Sequence, residues 1–427
     1  MMANYLFYTS LIVIWIMLLY HMFLAQGGYR HFRNFDKVIP SWEREMAKID
    51  LPTVNVFIPA HNEEVVIRQT LKAMARLHYP KDKLQIILIC DNCSDRTKEI
   101  GDEFAANYPF IRVIETKGVY KGKGKSSALN YALKQSNGEV IAVYDADNTP
   151  ERKAVWHLVM GLVNDQKAGA IVGKFRVINA ARTWLTKFIN IETITFQWMA
   201  QAGRFRWFRI TTIPGTNFAI RRKIMEKLGG WDTSALTEDT ELTIRVYSLG
   251  YHIRFFPAAI TWEQEPETLH VWWRQRTRWA RGNQYVVLKF LGRMFSLRSK
   301  KMMFDIIYFF FTYFLFFFGV ILSNILFIVN LFYDLNLSIG NVALILWAMA
   351  FLLFLTEIMI TLSIEKNQLT IKNMLYVVLM YFTYSQMWIA LVIYALILET
   401  KRMIKKEENV WYKTERFSVK EKGDKVS

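Results

Sequence analysis

This sequence of 427 residues has very few cysteines, and two common nucleotide-binding signatures are missing from it. Cys90 and Cys93 are the only cysteines, so a disulfide framework is excluded and a C-x-x-C zinc site lacks its second pair of ligands. Two reduced thiols are the simpler interpretation. Neither a Walker loop nor a G-x-G-x-x-G motif occurs, which argues against ATPase and dinucleotide chemistry.

Charge is sparse in long stretches on either side of the central region of the chain. No charged side chain precedes Arg30, and the apolar segment from Tyr5 to Ala25 is long enough to cross a bilayer of about 30 Å. A second apolar block opens at Phe304 and continues, as three candidate spans, to Leu398. Basic residues flank these segments, and by the positive-inside rule they predict a multi-pass plasma-membrane protein with its central domain and tail in the cytosol.

The number of spans and the position of the tail conflict. One span before the central domain and three after it would leave the basic tail outside the cell. Either the segment that opens at Phe304 folds as a hairpin, or the region near Gln386 breaks the last segment into a re-entrant piece and a span. The net charge of +17 lies mostly at membrane flanks and beside candidate phosphate sites, so we do not expect nucleic acid as a partner.

The central region, residues 50–290, predicts an α/β domain. Three apolar segments are each followed by polar residues and then by a helical pattern: "TVNVFIPAHNEE", "LQIILICDNCSD" and "EVIAVYDADNTP". Strands that are apolar on both faces and alternate with helices indicate a mainly parallel sheet covered on both sides. In such sheets, ligands bind at the carboxyl ends of the strands.

Carboxylates therefore collect at one edge of the predicted sheet. Asp91 is placed to accept hydrogen bonds from a base or ribose, and Asp145 and Asp147 to share Mg²⁺ or Mn²⁺ with a nucleotide diphosphate. A D-x-D sequence alone is also common in turns, where Asp is favoured. The basic, glycine-rich stretch "KGVYKGKGKSSALN" is consistent with a phosphate cradle and equally with a surface loop.

The stretch "LTEDTELTIRVYSLG" places three acids, Glu238, Asp239 and Glu241, at the start of an amphipathic helix. Acids in a first turn complement the helix dipole, and Thr237 is a candidate N-cap, so a purely structural explanation exists. The other motifs of the chain decide whether these acids have a further role.

Taken together, these motifs resemble those of family 2 inverting glycosyltransferases, and more narrowly the processive membrane synthases of cellulose, hyaluronan, chitin and poly-N-acetylglucosamine. The resemblance covers roughly residues 50–290 and includes, in the family's order and approximate spacing, "PAHNEE", "DNCSD", "GKSSALN", "DAD", "GTN", "TED" and "QRTRW". It implies a GT-A-like domain, with a mainly parallel sheet, inserted between transmembrane helices and docked on the membrane through amphipathic interfacial helices.

The resemblance also implies a role for each matching residue. Asp239 is expected to be the general base, with Glu238 beside it. The donor nucleotide is expected to contact His61, Glu63, Asp91, Lys125, Asp145, Gln275 and Arg278. The acceptor is expected at Trp279 and at the loop of Gly215, Thr216 and Asn217. The metal ligands are expected to be Asp147 and Asp145.

We therefore expect an enzyme that polymerises a β-linked exopolysaccharide from UDP-glucose or UDP-N-acetylglucosamine and passes the growing chain across the membrane. Two alternatives are a transferase that moves one sugar to a lipid carrier, and a transporter or channel with a degenerate transferase domain. The predicted organisation is a transmembrane helix (1–28), a cytosolic transferase domain (50–290), an interfacial helix with transmembrane helices (291–400) and a basic cytosolic tail (401–427). Because the 29 residues after Leu398 are too few for a regulatory barrel such as the cyclic-di-GMP-binding domain of bacterial cellulose synthases, regulatory or export subunits are expected partners.

Overall fold

The computed structural model describes residues 2–46, 48–235, 237–291, 300–333, 340–405 and 416–417. The chain divides into two compact units. The sheet unit comprises Val38–Thr186, Thr212–Arg274 and Asn409–Ser427, and the helical unit comprises Met1–Lys37, Lys187–Thr211 and Gln275–Glu408. The domain boundaries given above remain a prediction. Most of the predicted tail, and the stretch 292–299 within a predicted interfacial helix, lie outside the described residues.

Eight strands are numbered in chain order: β1 (Val54–Ala60), β2 (Leu84–Cys90), β3 (Ile111–Glu115), β4 (Val140–Val143), β5 (Thr149–Pro150), β6 (Ala168–Val177), β7 (Phe218–Arg221) and β8 (His252–Glu263). The helices are α1 (Met2–Met46), α2 (Ile67–Ala75), α3 (Thr97–Asn107), α4 (Lys125–Lys134), α5 (Ala154–Val163), α6 (Trp184–Thr195), α7 (Arg204–Phe208), α8 (Arg222–Leu228), α9 (Glu238–Ser248), α10 (Leu269–Leu291), α11 (Lys300–Phe310), α12 (Phe317–Phe332), α13 (Gly340–Ile364), α14 (Ile371–Phe382) and α15 (Tyr384–Lys405). A 3₁₀ turn lies at Gly118–Tyr120, and π-helical segments lie at Phe196–Gly203 and Phe311–Phe316.

The strands form one mixed sheet in the order β3-β2-β1-β4-β7-β6-β8-β5. Strand β1 runs parallel to both β2 and β4, and β2 runs parallel to β3. Nearly every residue of β1, β2 and β4 is buried, because helices cover both faces and the β-branched side chains fill the core. The predicted α/β sheet is confirmed. Its antiparallel strands, β5 and β7, are short additions that the sequence pattern did not indicate.

The register of the parallel strands determines where their loops begin. Ala60 pairs with Cys90, and Phe57 pairs with Val143. The loops that follow β1, β2 and β4 therefore leave the sheet at the same edge. These loops carry His61, Asp91 and Asp145, so the expected convergence of the polar residues is a direct consequence of strand pairing.

Among the described residues, four helical segments have the length and composition needed to cross a membrane: Met2–Met46, Lys300–Asn330, Ile345–Ile364 and Ile371–Lys405. The first helix continues well beyond residue 28, where the predicted span ends. The last segment is interrupted at Thr383, whose backbone leaves the helical region. This interruption lies where one of the two alternative topologies requires a break, and the described segment from 300 to 330 is continuous rather than a hairpin.

Candidate active site

Asp91, directly after β2, organises the basic glycine-rich loop of the sheet unit. Its carboxylate accepts hydrogen bonds from the Thr116 hydroxyl (2.6 Å), the Gly122 amide (2.6 Å) and the Gly124 amide (3.2 Å). Gly122 and Gly124 both have positive φ, a conformation that glycine adopts without steric cost. The side chain is buried, so its charge is compensated mainly by these three donors.

Lys125 is the first residue of α4, and its ammonium group lies among carboxylates from two parts of the chain and a backbone carbonyl from a third. Its Nζ donates to Asp145 Oδ1 at 2.7 Å and to the Gly215 carbonyl at 2.9 Å, and it lies 3.5 Å from Glu238 Oε1. Burial alone would lower the pKa of Lys125. The nearby charges of Asp145, Glu238 and Asp239 outweigh burial, so the pKa is raised and the ammonium group stays charged.

Asp239 lies against the same group of residues. A Cβ atom added to Gly215 would come within 2.8 Å of Asp239 Oδ2 and 3.5 Å of Lys125 Nζ, so the carboxylate and the ammonium group both face this glycine. The other oxygen of Asp239 accepts a hydrogen bond from the Thr240 amide at 2.7 Å. One carboxylate oxygen is thus fixed by the start of α9, and the other faces the loop at Gly215.

The structural explanation for the acids of α9 applies to only one of them. Thr237 occupies the N-cap position, but its side chain makes no capping hydrogen bond among the described residues. Glu241 pairs with Arg245 at 2.7 Å, and Arg245 in turn donates to the carbonyls of Leu228 and Gly230. Glu241 is therefore structural, whereas Glu238 and Asp239 belong to the charged cluster around Lys125.

Asp145 and Asp147, after β4, have different surroundings. The Asp145 amide donates to the Thr216 hydroxyl at 3.0 Å, and its carboxylate binds Lys125. The side chain of Asp147 is only 4% exposed, and its Oδ2 lies 2.9 Å from Nη1 of Arg416. Burial raises the pKa of Asp147, Arg416 opposes that shift, and the neighbouring charge of Asp145 adds to it.

The loop of Gly215, Thr216 and Asn217 contacts both parts of the site: the cluster of Lys125 and Asp239, and Asp145 after β4. Gly215 has a φ of +85°, and the next residue, Thr216, donates its hydroxyl proton to Asn148 at 2.8 Å. The side-chain amide of Asn217 donates to the Lys174 and Ala259 carbonyls, both at 2.9 Å. Asn217 therefore ties the loop to β6 and β8. Its expected contact with an acceptor remains a prediction.

His61 and Glu63, after β1, lie beside the Asp91 loop. His61 Nδ1 is 2.7 Å from the Asp91 carbonyl, and the Glu63 amide donates to the Thr97 hydroxyl at 2.6 Å. Both residues are thus held against the turn that follows β2, and their expected contact with a nucleotide remains a prediction.

Gln275, Arg278 and Trp279 all lie on α10, in the helical unit. The cluster described here contains only residues of the sheet unit, so the expected donor and acceptor roles of these three residues remain predictions.

The sequence did not indicate two residues of this cluster, Arg416 and Phe417. The backbone of Phe417 makes a pair of hydrogen bonds with the Gln264 side chain, accepting from Nε2 at 2.7 Å and donating to Oε1 at 2.8 Å. This pairing places Arg416 on Asp147. The only feature of the tail that the sequence indicated was its many charges. We interpreted the tail as a basic segment that binds lipid or partner subunits.

The donor groups present fit a hard divalent cation. Among the described residues, no group of three or more His, Cys, Asp or Glu side chains forms a complete metal cage. Mg²⁺ and Mn²⁺ in phosphate sites need only one or two carboxylates, because substrate oxygens and water supply the remaining ligands. Burial and the charges of Glu265, Asp147 and Asp145 raise the pKa of Glu263 well above its ordinary value. The pocket thus contains more carboxylates than the cations of Lys125 and Arg416 balance.

A mixed α/β sheet with a D-x-D pair at the end of one strand and a carboxylate opposite it defines the GT-A class of glycosyltransferases. Residues 52–282 match the sequence profile of the family described as "Glycosyltransferase like family 2". The chain belongs to glycosyltransferase family 2, and the predicted family and enzyme class are confirmed.

Proteins similar to this chain include two relatives and one solved structure. It is 68% identical over 422 residues to a "Probable glycosyltransferase YdaM" of Bacillus subtilis (strain 168), covering 99% of this chain and 100% of the relative. It is 30% identical over 240 residues to a "Poly-beta-1,6-N-acetyl-D-glucosamine synthase" of Staphylococcus aureus (strain COL), covering 56% of this chain and 57% of that protein. The mannosyltransferase PcManGT from Pyrobaculum calidifontis, in complex with GDP-Man and Mn²⁺, has the same fold, with a TM-score of 0.59 and 19% identity, covering 91% of this chain and 100% of that one.

Proposed function

We propose that this protein is a membrane-embedded, inverting, processive glycosyltransferase that builds a β-linked polysaccharide from a UDP-sugar and passes it across the membrane. The observation that carries the proposal is the convergence of Asp239, Lys125 and Asp145 around Gly215. Four helical segments able to cross a membrane and the "QRTRW" sequence support the membrane-bound, processive form of the reaction.

In the proposed mechanism, Asp239 is the general base. Its Oδ2 faces the loop at Gly215 and takes the proton of the acceptor hydroxyl as that oxygen attacks the anomeric carbon of the donor. Thr240 fixes the opposite oxygen and so holds the orientation of the carboxylate. One base acting in a direct displacement inverts the anomeric configuration, so an α-linked donor gives a β-linked product.

The leaving diphosphate needs positive charge as its bond to the sugar breaks. Lys125 provides one fixed cation, held in place by Asp145 and the Gly215 carbonyl. Asp145 and Asp147 would hold a divalent cation, Mg²⁺ or Mn²⁺, which when bound neutralises charge on the diphosphate. Asp91 holds the loop 116–124, whose basic and glycine residues lie beside the expected nucleotide pocket.

UDP-N-acetylglucosamine is the donor that we propose first, with UDP-glucose second. The support is the similarity to the poly-β-1,6-N-acetyl-D-glucosamine synthase, which is 30% identical over 240 residues. The cytosolic face of the plasma membrane is the proposed location of the sheet unit, since basic residues flank the apolar segments.

The test is a product assay with the full-length protein in lipid nanodiscs. Radiolabelled UDP-N-acetylglucosamine, UDP-glucose and other UDP-sugars are supplied with Mg²⁺ or Mn²⁺, and the products are sized by gel filtration. We expect a high-molecular-weight polymer from one donor. A single-sugar, lipid-extractable product would establish the lipid-carrier alternative, and no UDP release from any donor would refute the proposed activity.

A further inference from the structure

Arg276 lies in the middle of the "QRTRW" sequence on α10, and its side chain is almost completely buried, with 2% exposed. The roles expected for this sequence fall on Gln275, Arg278 and Trp279 and leave Arg276 unassigned. A buried arginine in a helix needs partners for its charge and its several N–H groups, because an unpaired buried cation is costly. The contacts of Arg276 show how the side chains of Gln275 and Trp279 are held.

The guanidinium group of Arg276 contacts two residues of the same signature. Nη1 donates to Gln275 Oε1 at 2.6 Å, and Cζ lies 4.0 Å from the centre of the Trp279 ring. Arg276 and Trp279 are three residues apart on one helix, so their side chains are neighbours on one face. One face of the indole is therefore occupied by a cation, and an approaching sugar has only the opposite face for stacking.

Glu192, on α6, fixes the guanidinium group from another helix. Its Oε2 accepts hydrogen bonds from Arg276 Nη2 at 2.8 Å and from the Tyr384 hydroxyl at 2.9 Å. Its Oε1 accepts from the Trp388 indole at 2.9 Å. Three donors thus orient one carboxylate, and a charge-assisted arginine–carboxylate contact has a defined geometry.

The network also joins the signature to the last apolar segment. Tyr384 is the first residue of α15, directly after the break at Thr383, and Trp388 lies one turn further along the same helix. Glu192 is therefore the point where α6, α10 and α15 meet through polar contacts.

We propose that Glu192 and Arg276 are positioning residues that hold Trp279 in the orientation in which it binds the acceptor sugar. Neither residue contacts the sugar itself. The inference rests on the proposed function, specifically on acceptor binding by Trp279. It adds that Arg276 orients the Trp279 ring from one face and that Glu192 of α6 holds Arg276 in place. Acceptor binding then depends on both residues.

The experiment compares Arg276→Gln, Arg276→Lys and Glu192→Gln with the unaltered full-length protein in nanodiscs. Binding of a β-linked N-acetylglucosamine pentasaccharide and of cellopentaose is measured by calorimetry, separately from UDP binding. We expect Arg276→Gln to weaken binding of the preferred oligosaccharide by roughly three- to thirtyfold, the range of cation–π contacts from exposed to desolvated sites. UDP affinity, which Arg276 affects only through Gln275, should fall by a smaller factor. Arg276→Lys should recover part of the loss, since it keeps the charge but not the planar fork.

Arg281→Gln is the matched control. Arg281 lies on the same helix, and its Nη2 is 3.5 Å from Glu399 of α15, so the substitution removes a comparable inter-helix contact away from Trp279. If Arg276 had only a structural role, Arg276→Gln and Arg281→Gln would lower thermal stability alike and would weaken oligosaccharide and UDP binding alike. That outcome, or an Arg276→Gln variant with unchanged oligosaccharide affinity, would overturn the proposal.

Two further readouts separate this inference from the proposed function. Glu192→Gln and the double variant Glu192→Gln/Arg276→Gln should weaken oligosaccharide binding to a similar extent, because both remove the same orientation of Trp279. Additive losses would contradict a shared network. If the unaltered protein binds neither oligosaccharide, the inference falls whether or not UDP-sugar turnover is observed, whereas turnover without polymer refutes processivity alone.

Discussion

Replacing Asp239 by asparagine should abolish most of the turnover while leaving the donor site intact. Asparagine has nearly the same shape as aspartate, and its side-chain oxygen can still accept the hydrogen bond from the Thr240 amide, which is 2.7 Å long in this structure. The lost property is the ability to take a proton. General-base catalysis contributes about 10²- to 10⁴-fold to a rate, equivalent to about 3 to 5 kcal/mol of transition-state stabilisation.

The assay for Asp239→Asn is UDP release together with calorimetric binding of UDP and Mn²⁺. We expect kcat to fall by about a hundredfold or more, with the Kd of UDP within threefold of the unaltered value. Asp232→Asn is a matched control, because the Asp232 carboxylate caps an exposed turn through Ser234 in the same unit. Turnover within tenfold of normal for Asp239→Asn would return the acids of α9 to a structural role.

Three other substitutions test the remaining parts of the pocket. Lys125→Met should weaken binding of the UDP-sugar at least tenfold in calorimetry, because it removes the cation shared by Asp145 and the Gly215 carbonyl; unchanged affinity would exclude a diphosphate contact. Gly215→Ala combines a φ of +85° with a Cβ atom 2.8 Å from Asp239 Oδ2, so it should lower kcat more than donor affinity and cost about 1 kcal/mol of stability in thermal unfolding. Arg416→Gln should strengthen binding of Mn²⁺ without nucleotide by about fivefold, because it removes a competing contact with Asp147 Oδ2 worth about 1 kcal/mol. Weaker binding of Mn²⁺ would mean that Arg416 supports the metal site.

The parallel part of the sheet could be predicted because each strand carries its own signal. Strands β1, β2 and β4 are short apolar runs rich in β-branched residues, and each ends at a polar loop. Once parallel pairing is assumed, the meeting of His61, Asp91 and Asp145 follows from the geometry of the sheet.

Strands β5 and β7 could not be predicted, because they are two and four residues long and have no periodicity of their own. Their positions depend on pairing with β8, β4 and β6, which are distant in the sequence. The role of Asn217 was hidden for the same reason. Its amide bonds the carbonyls of two strands, and only the assembled sheet brings those carbonyls together.

The position of Arg416 could not be predicted either, because it depends on an ion pair with a residue far away in the sequence. Sequence reasoning assigned the basic residues of the tail to a partner subunit or to anionic lipid, since a basic run beside an apolar segment is typical of a membrane flank. The structure instead uses one of these charges at Asp147, held there by the backbone of Phe417 on Gln264. An ion pair between two segments so far apart leaves no periodic or local trace in the sequence.

The charges of the pocket explain why such a pairing is favourable. Burial and neighbouring carboxylates raise the pKa values of Asp147 and Glu263, so the folded site disfavours its own negative charge. A cation at Asp147 relieves part of that cost, and Arg416 provides one from within the chain. In the proposed reaction, the donor diphosphate adds negative charge to this edge of the sheet, where Lys125 is held by Asp145 and the Gly215 carbonyl. The same carboxylate excess that makes the site suitable for a divalent cation therefore accounts for the arginine that the tail places there.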